Sequence, residues 1–250
     1  MCLLMTVSLA VGCTPGNSET EPDPDPPVQS EFPEYPEKTD MKTDGQYYEQ
    51  EGVEFPSALW QTPQSERYEA LDRGDVKAYF ISSVGGTKVF CYVGIPKGAS
   101  ASAPVPGVVL VHGATGTAFY DWVQAWNERG YAAIAMDTEG RMPLADTSTY
   151  HSVYTESIEP HGPANASFTD SEKAVEDQWV YHALASVIAS ASFLRSFEEV
   201  DGAHIGITGV SYGGFLTCLA TGYDDRYCFA APVYGCLSNA RGAGEFGTYI

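Results

Sequence analysis

The run Gly209-Val210-Ser211-Tyr212-Gly213 sets a serine between two glycines, each two positions away. That spacing suits a sharp, strained turn from a strand into a helix, where only small residues let the two backbones pass closely. His204-Ile205-Gly206-Ile207-Thr208 reads as the strand before it, and Gly214-Phe215-Leu216 opens a helix behind it. Such a turn lifts the hydroxyl clear of a sheet and holds it at the positive end of the helix, where a nucleophile attacking an acyl carbon belongs. The bland alternative is a Gly-rich turn carrying an idle serine.

Acyl transfer also needs two backbone N–H donors aimed at the oxyanion that develops on the attacked carbonyl. One is expected from Tyr212, directly after the serine, with its side chain bordering the same pocket. The other is expected from His112-Gly113-Ala114-Thr115-Gly116, at Ala114 or Thr115. His112 itself reads as a structural hydrogen-bonding residue rather than a base. A serine further needs a histidine base and an acid that orients it. All five histidines, His112, His151, His161, His182 and His204, precede Ser211, and the 39 residues after it contain none. His151 and His161 fall in a long loop above the expected site edge, as bases or as solvated loop histidines. Asp224 and Asp225 follow a helix, which places them at the wrong edge. Glu245 lies beyond a strand's carboxyl end, at the right edge, and is the candidate acid within the chain. The cysteine spacings match no zinc pattern, and no metal or organic cofactor is implied.

These residues need a scaffold, and the pattern supplies one from about residue 76. Residues 76–81 and 88–93 read as strands of a hairpin joined through Gly85-Gly86. Gly107-Val108-Val109-Leu110-Val111-His112 and Tyr131-Ala132-Ala133-Ile134-Ala135-Met136 are short continuous apolar runs, as expected of strands buried on both faces. Between them Phe119, Trp122, Val123 and Trp126 recur at helical spacing, and Gly130 ends that helix. Residues 140–168 carry Pro143, Pro160 and Pro163 with no period and read as one long loop. Thr169 with Glu172 forms a capping-box signature, and Val180, Leu184, Val187, Ala191 and Leu194 make one apolar face of the helix behind it. A helix over 213–222 and a strand over 228–234 complete the alternation, which implies a mostly parallel sheet with helices on both faces.

Composition agrees. With 44% hydrophobic and 12% aromatic residues among 250, a sizeable core can be buried. A net charge of −20 lacks the basic footprint that nucleic acid or anionic lipid requires. Half of that charge sits in residues 14–54, where twelve acidic side chains face two basic ones among repeated prolines. Alternating Pro and carboxylate resists helix and ladder alike and reads as an extended, disordered tether. Ahead of it, residues 1–13 have the length of a signal-peptide apolar region, and Leu9-Ala10-Val11-Gly12-Cys13 resembles a bacterial lipobox. No Lys or Arg precedes the apolar run, so Met1 is expected to lie inside a longer signal sequence. The resemblance implies that Cys13 is a lipid anchor and that the chain sits in the bacterial cell envelope, at the outer membrane or facing the periplasm. Of the remaining cysteines, Cys91, Cys218, Cys228 and Cys236 read as buried thiols, or as a Cys218–Cys228 or Cys228–Cys236 disulfide in an exported protein.

Over roughly residues 76–236 these motifs together resemble the α/β-hydrolase superfamily. Gly209-Val210-Ser211-Tyr212-Gly213-Gly214-Phe215 is similar to the branch holding prolyl-oligopeptidase-like, acetyl-xylan-esterase-like and dienelactone-hydrolase-like proteins. Acetyl xylan esterases of the cephalosporin-deacetylase kind carry R-G-Q and a Gln after the serine. The corresponding stretches here are Glu139-Gly140-Arg141-Met142 and Tyr212. The resemblance implies an α/β-hydrolase fold over residues 55–250 and a triad in the order serine, acid, histidine. Since no histidine follows Ser211 here and Glu245 is the one candidate acid, the chain is expected to be the N-terminal part of a longer hydrolase, nearly inactive by itself. Three functions stand: a serine esterase acting through an acyl-enzyme on small-molecule or carbohydrate esters, a serine peptidase, and a non-catalytic surface-binding lipoprotein. Fluorophosphonate labelling and ester against peptide substrates separate them.

Overall fold

The computed structural model describes residues 53–144, 155–164, 170 and 173–235, all within the unit Gln50–Ile250. The expected hairpin forms from β2 (Lys77–Ser82) and β3 (Lys88–Gly94), preceded by a short β1 (Ser65–Arg67) on the outer side of β2. The two apolar runs become β4 (Val105–Val111) and β5 (Ala132–Met136), linked by α1 (Tyr120–Asn127). β8 (Val200–Val210) leads into α3 (Tyr212–Tyr223), and β9 (Phe229–Val233) follows. These strands make one seven-stranded sheet in the order β1-β2-β3-β5-β4-β8-β9. The first three and the β3–β5 pair run antiparallel, whereas β5, β4, β8 and β9 run parallel.

The two-residue period of a strand divides the core cleanly. Val109, Val111, Ile134, Met136, Cys91 and Ile81 point to one face, against α2 (Trp179–Arg195) and α3. Val108, Leu110, Ala133, Ala135, Phe90 and Tyr92 point to the other, against α1. Every residue of β5 is buried, which is why its sequence is continuous in apolar residues rather than alternating. Each fully buried Val, Leu or Ile contributes roughly 1.5–3 kcal/mol over its exposed state.

Three expectations are corrected. The segment after β5 is not loop throughout: β6 (Arg141–Pro143) pairs antiparallel with β7 (Thr155–Ser157) in a separate two-stranded ribbon. The long helix starts at Trp179, not behind a capping box at Thr169 and Glu172, which lie outside the described residues along with most of 140–168 beyond the ribbon. The buried carboxylate of Asp170 accepts the Trp179 backbone N–H at 2.7 Å and serves the helix end instead. Nor is one face alone apolar in contact. Residues from Trp179 to Leu194 are buried nearly all round, because the segment before β1 covers the outer side. There Phe55 stacks on Tyr181 with centroids 4.8 Å apart, and Ser192 donates to the Leu59 carbonyl at 2.6 Å.

At the base of the parallel strands, half-buried Arg226 pairs with the buried Asp224 carboxylate at an N–O distance of 2.6 Å. Arg226 also donates to the Trp60 carbonyl and to Ser192 Oγ, tying the segment before β1, α2 and the α3–β9 turn together. The cysteine expectation is corrected in part. Cys91 is buried, and burial pushes its thiol pKa up, but Cys218 and Cys228 are exposed. Cys218 lies on α3 and Cys228 just before β9. Cys236 lies outside the described residues.

Candidate active site

Ser211 stands at the junction of β8 and α3 with φ 58° and ψ −118°, a conformation that costs an L-residue on the order of 1–3 kcal/mol. The surroundings over-determine it. The Ser211 N–H donates to Val233 at the end of β9 at 2.8 Å, and its carbonyl accepts from Phe215 in the first turn of α3 at 3.1 Å. Gly209 and Gly213 face one another, so that a Cβ on Gly209 would collide with the Gly213 backbone. A Cβ on Gly213 would strike the carbonyls of Val111 and His112 at the end of β4. The turn is therefore wedged between β4 and β9, and the serine side chain is left exposed. Tyr212 begins the helix half-buried, its ring 5.8 Å from that of Trp179.

The loop after β4 is fastened to the loop after β5. The Thr138 N–H donates to Nε2 of buried His112 at 3.0 Å, so that nitrogen carries the lone pair. The ring proton then sits on Nδ1, which donates to the Gly113 carbonyl at 2.6 Å. His112 thus has no lone pair left to take a serine proton, and it holds the loop instead. The Gly113 carbonyl accepts a second bond from the Gly116 N–H at 3.1 Å. Gly113 itself packs on the serine: a Cβ there would lie 3.2 Å from Ser211 Cβ. Thr115 takes φ 59°, and its N–H donates to Glu139 Oε1 at 3.1 Å. Of the two residues expected to supply the second donor, Thr115 therefore has its N–H engaged. No described group takes the N–H of exposed Ala114.

Behind Glu139 lies Asp137, which sequence reasoning missed. Its Oδ2 accepts the N–H groups of Glu139 at 2.8 Å and Arg141 at 2.7 Å. Its Oδ1 has no hydrogen bond and lies 3.7 Å from His112 Nε2. Burial pushes the Asp137 carboxyl up to about 6, with the two amide hydrogen bonds pulling it partly back. A carboxylate directly after the fully apolar run 132–136 was the available sequence signal. Trp179 Nε1 donates to the Thr138 carbonyl at 2.7 Å, which connects this loop through the Trp179 ring to Tyr212.

The remaining candidates lie elsewhere. His161 packs on Gly140 past the end of β5, two strands away from β8, with Nδ1 on the Gly162 carbonyl and Nε2 3.6 Å from Glu159. Asp224 is committed to Arg226 at the opposite edge, and Asp225 is exposed beside it. Glu245, His151 and Cys13 lie outside the described residues. Among the described residues, no three His, Cys, Asp or Glu side chains group as metal ligands, and no helix is long and apolar enough to cross a membrane. A cleft of about 790 Å³ lies between α1 and residues 73–76 and 95–97, and no candidate site residue lines it.

The mostly parallel sheet, the helices on both faces and the serine wedged between β8 and α3 define an α/β-hydrolase fold. The chain belongs to the acetyl xylan esterase (AXE1) family, whose model matches residues 34–248. That match runs through Glu139-Gly140-Arg141 and Tyr212, so departing from R-G-Q and from Gln after the serine does not remove the chain from the family. Among solved structures, the acetyl xylan esterase from Paenibacillus sp. R4 is 23% identical with a TM-score of 0.54, covering 70% of this chain and 55% of that one. Acetyl Xylan Esterase 1 from Thermoanaerobacterium sp. JW/SL YS485 is 17% identical with the same TM-score and coverage. At these identities the likeness is one of fold, and the chain spans just over half the length of either structure.

Proposed function

We propose that the protein is a serine carboxylic ester hydrolase that removes acetyl groups from a carbohydrate, with Ser211 as the nucleophile. The observation that carries this reading is the strained Ser211 backbone, held by β9 and the first turn of α3 beside the Gly113 loop. Membership of the acetyl xylan esterase family supports the substrate class.

In this mechanism Ser211 Oγ attacks the ester carbonyl as a histidine base takes its proton. The carbonyl oxygen becomes an oxyanion between the N–H groups of Tyr212 and Ala114. The C–O bond to the sugar then breaks, the sugar oxygen takes the proton, and an acetyl-serine remains. Water attacks that ester, acetate leaves, and the serine recovers its proton. The histidine and its acid come from outside the described residues, a reading supported by the chain's coverage of just over half of its solved relatives. The same proposal places the protein in the bacterial envelope, anchored through Cys13 and spaced from the membrane by the acidic Pro-rich segment. Its support is the Leu9-Ala10-Val11-Gly12-Cys13 pattern and the charge of residues 14–54.

The test is acetate release from acetylated xylan by the full-length gene product, compared with Ser211→Ala. A loss of at least about 1,000-fold in kcat with an unchanged melting temperature is expected. Equal rates for both proteins would remove the reading.

A further inference from the structure

We infer that Glu139 is a positioning residue of the oxyanion loop and a charge filter for the ester that enters, an inference that rests on the esterase reading above. The Thr115 N–H points at Glu139 Oε1 at 3.1 Å, and Thr115 adopts φ 59°, which a β-branched residue rarely takes without an outside hold. Glu139 is itself held: its own N–H donates to Asp137 Oδ2 at 2.8 Å, so the clamp is anchored on a sealed carboxylate at the end of β5. On its other side the loop is fixed by the His112 ring bonded to Thr138 and Gly113. The loop is thus gripped at Gly113 and at Thr115, and Ala114 lies between the two grips with its N–H untaken. Releasing Thr115 frees the residue next to the oxyanion donor, and a displacement of about 1 Å there costs on the order of 100-fold in rate.

The clamp is a carboxylate, and that has a second consequence. Glu139 is half-buried, and its Oε1 accepts the N–H of Thr115, which stands two residues along the loop from the Gly113 that packs on Ser211. A fixed negative charge so near the acyl site opposes a substrate whose acyl part carries its own carboxylate, and favours a neutral acyl group such as acetyl.

Two variants of the full-length protein separate the two roles, assayed on p-nitrophenyl acetate and on mono-p-nitrophenyl succinate, the same leaving group on a neutral and an anionic acyl chain. Glu139→Gln keeps an oxygen that accepts the Thr115 N–H while removing the charge. Its kcat on the acetate is expected within about threefold of the parent, and its kcat/KM on the succinate is expected to rise about fivefold or more. Glu139→Ala removes the clamp, and its kcat on the acetate is expected to fall about 10- to 100-fold with KM changed less than about twofold. Fluorophosphonate labelling of Ser211 is run on all three proteins. An unlabelled parent would refute the esterase reading itself. Labelled variants that match the parent on both substrates would overturn the inference about Glu139. So would equal losses in the Gln and Ala variants, since Gln preserves the hydrogen bond.

Discussion

Two carboxylates, Asp137 and Asp224, are sealed from solvent to nearly the same degree, 2% and 1% exposed, at opposite ends of the parallel strands. Asp224 is compensated in full. Arg226 grips both of its oxygens, and the guanidinium goes on to bond Trp60 and Ser192. Asp137 receives two amides on one oxygen and nothing on the other, and its carboxyl is pushed up to about 6. The end of the sheet with the paired charge holds elements together, whereas the end with the unpaired one carries positive-φ residues Thr115 and Ser211. Strain and uncompensated charge collect at the end where we propose the ester is cleaved, and the complete ion pair sits at the other.

The largest effect expected from breaking this contrast is at the strained end. Gly213→Ala drives a methyl into the carbonyls of Val111 and His112, so the turn cannot keep its place against β4. A loss of more than about 100-fold in kcat/KM is expected, read in the same ester assay. At the cohesive end, Arg226→Ala removes the partner of both Asp224 carboxylate oxygens. Denaturant unfolding should show a loss of about 3–5 kcal/mol, while the rate per folded molecule stays unchanged.

Asp137 gives a subtler signature, in pH. Its folded pKa of about 6 lies above the unfolded value, so the folded chain binds more protons between pH 4 and 6. Stability therefore falls as pH rises through that window, and above it the buried charge costs roughly 3 kcal/mol. Asp137→Asn should lack that contribution, so that its stability relative to the parent improves from pH 4 to pH 7 in parallel melts. A difference that stays constant with pH would show that the carboxyl does not titrate there. The smallest effect is a control on α3 itself. Gly222 has open space around a would-be Cβ, and Gly222→Ala should stabilise by about 0.5 kcal/mol without touching activity.

Much of this arrangement was legible before the structure. Continuous apolar runs identified β4 and β5 because burial on both faces removes alternation, and glycine spacing located the turn at Ser211 because backbone contact there excludes any Cβ. The β6–β7 ribbon was not legible, since three residues such as Arg141-Met142-Pro143 are too few to show a period. The start of α2 was misplaced because Asp170 reaches Trp179 across nine positions, a contact outside any local capping pattern. The commitment of Thr115 to Glu139 spans 24 positions and depends on how two loops meet above the sheet. Local sequence rules see turns and faces, and they do not see which loop ends up beside which.

The central claim is that the turn between β8 and α3 presents a nucleophile. Its most direct test treats the full-length protein with a fluorophosphonate and maps the adduct by peptide mass spectrometry. The account predicts one modified serine, Ser211, with no adduct on Ser211→Ala. A native, folded protein that stays unmodified, or one modified only at another serine, would contradict it.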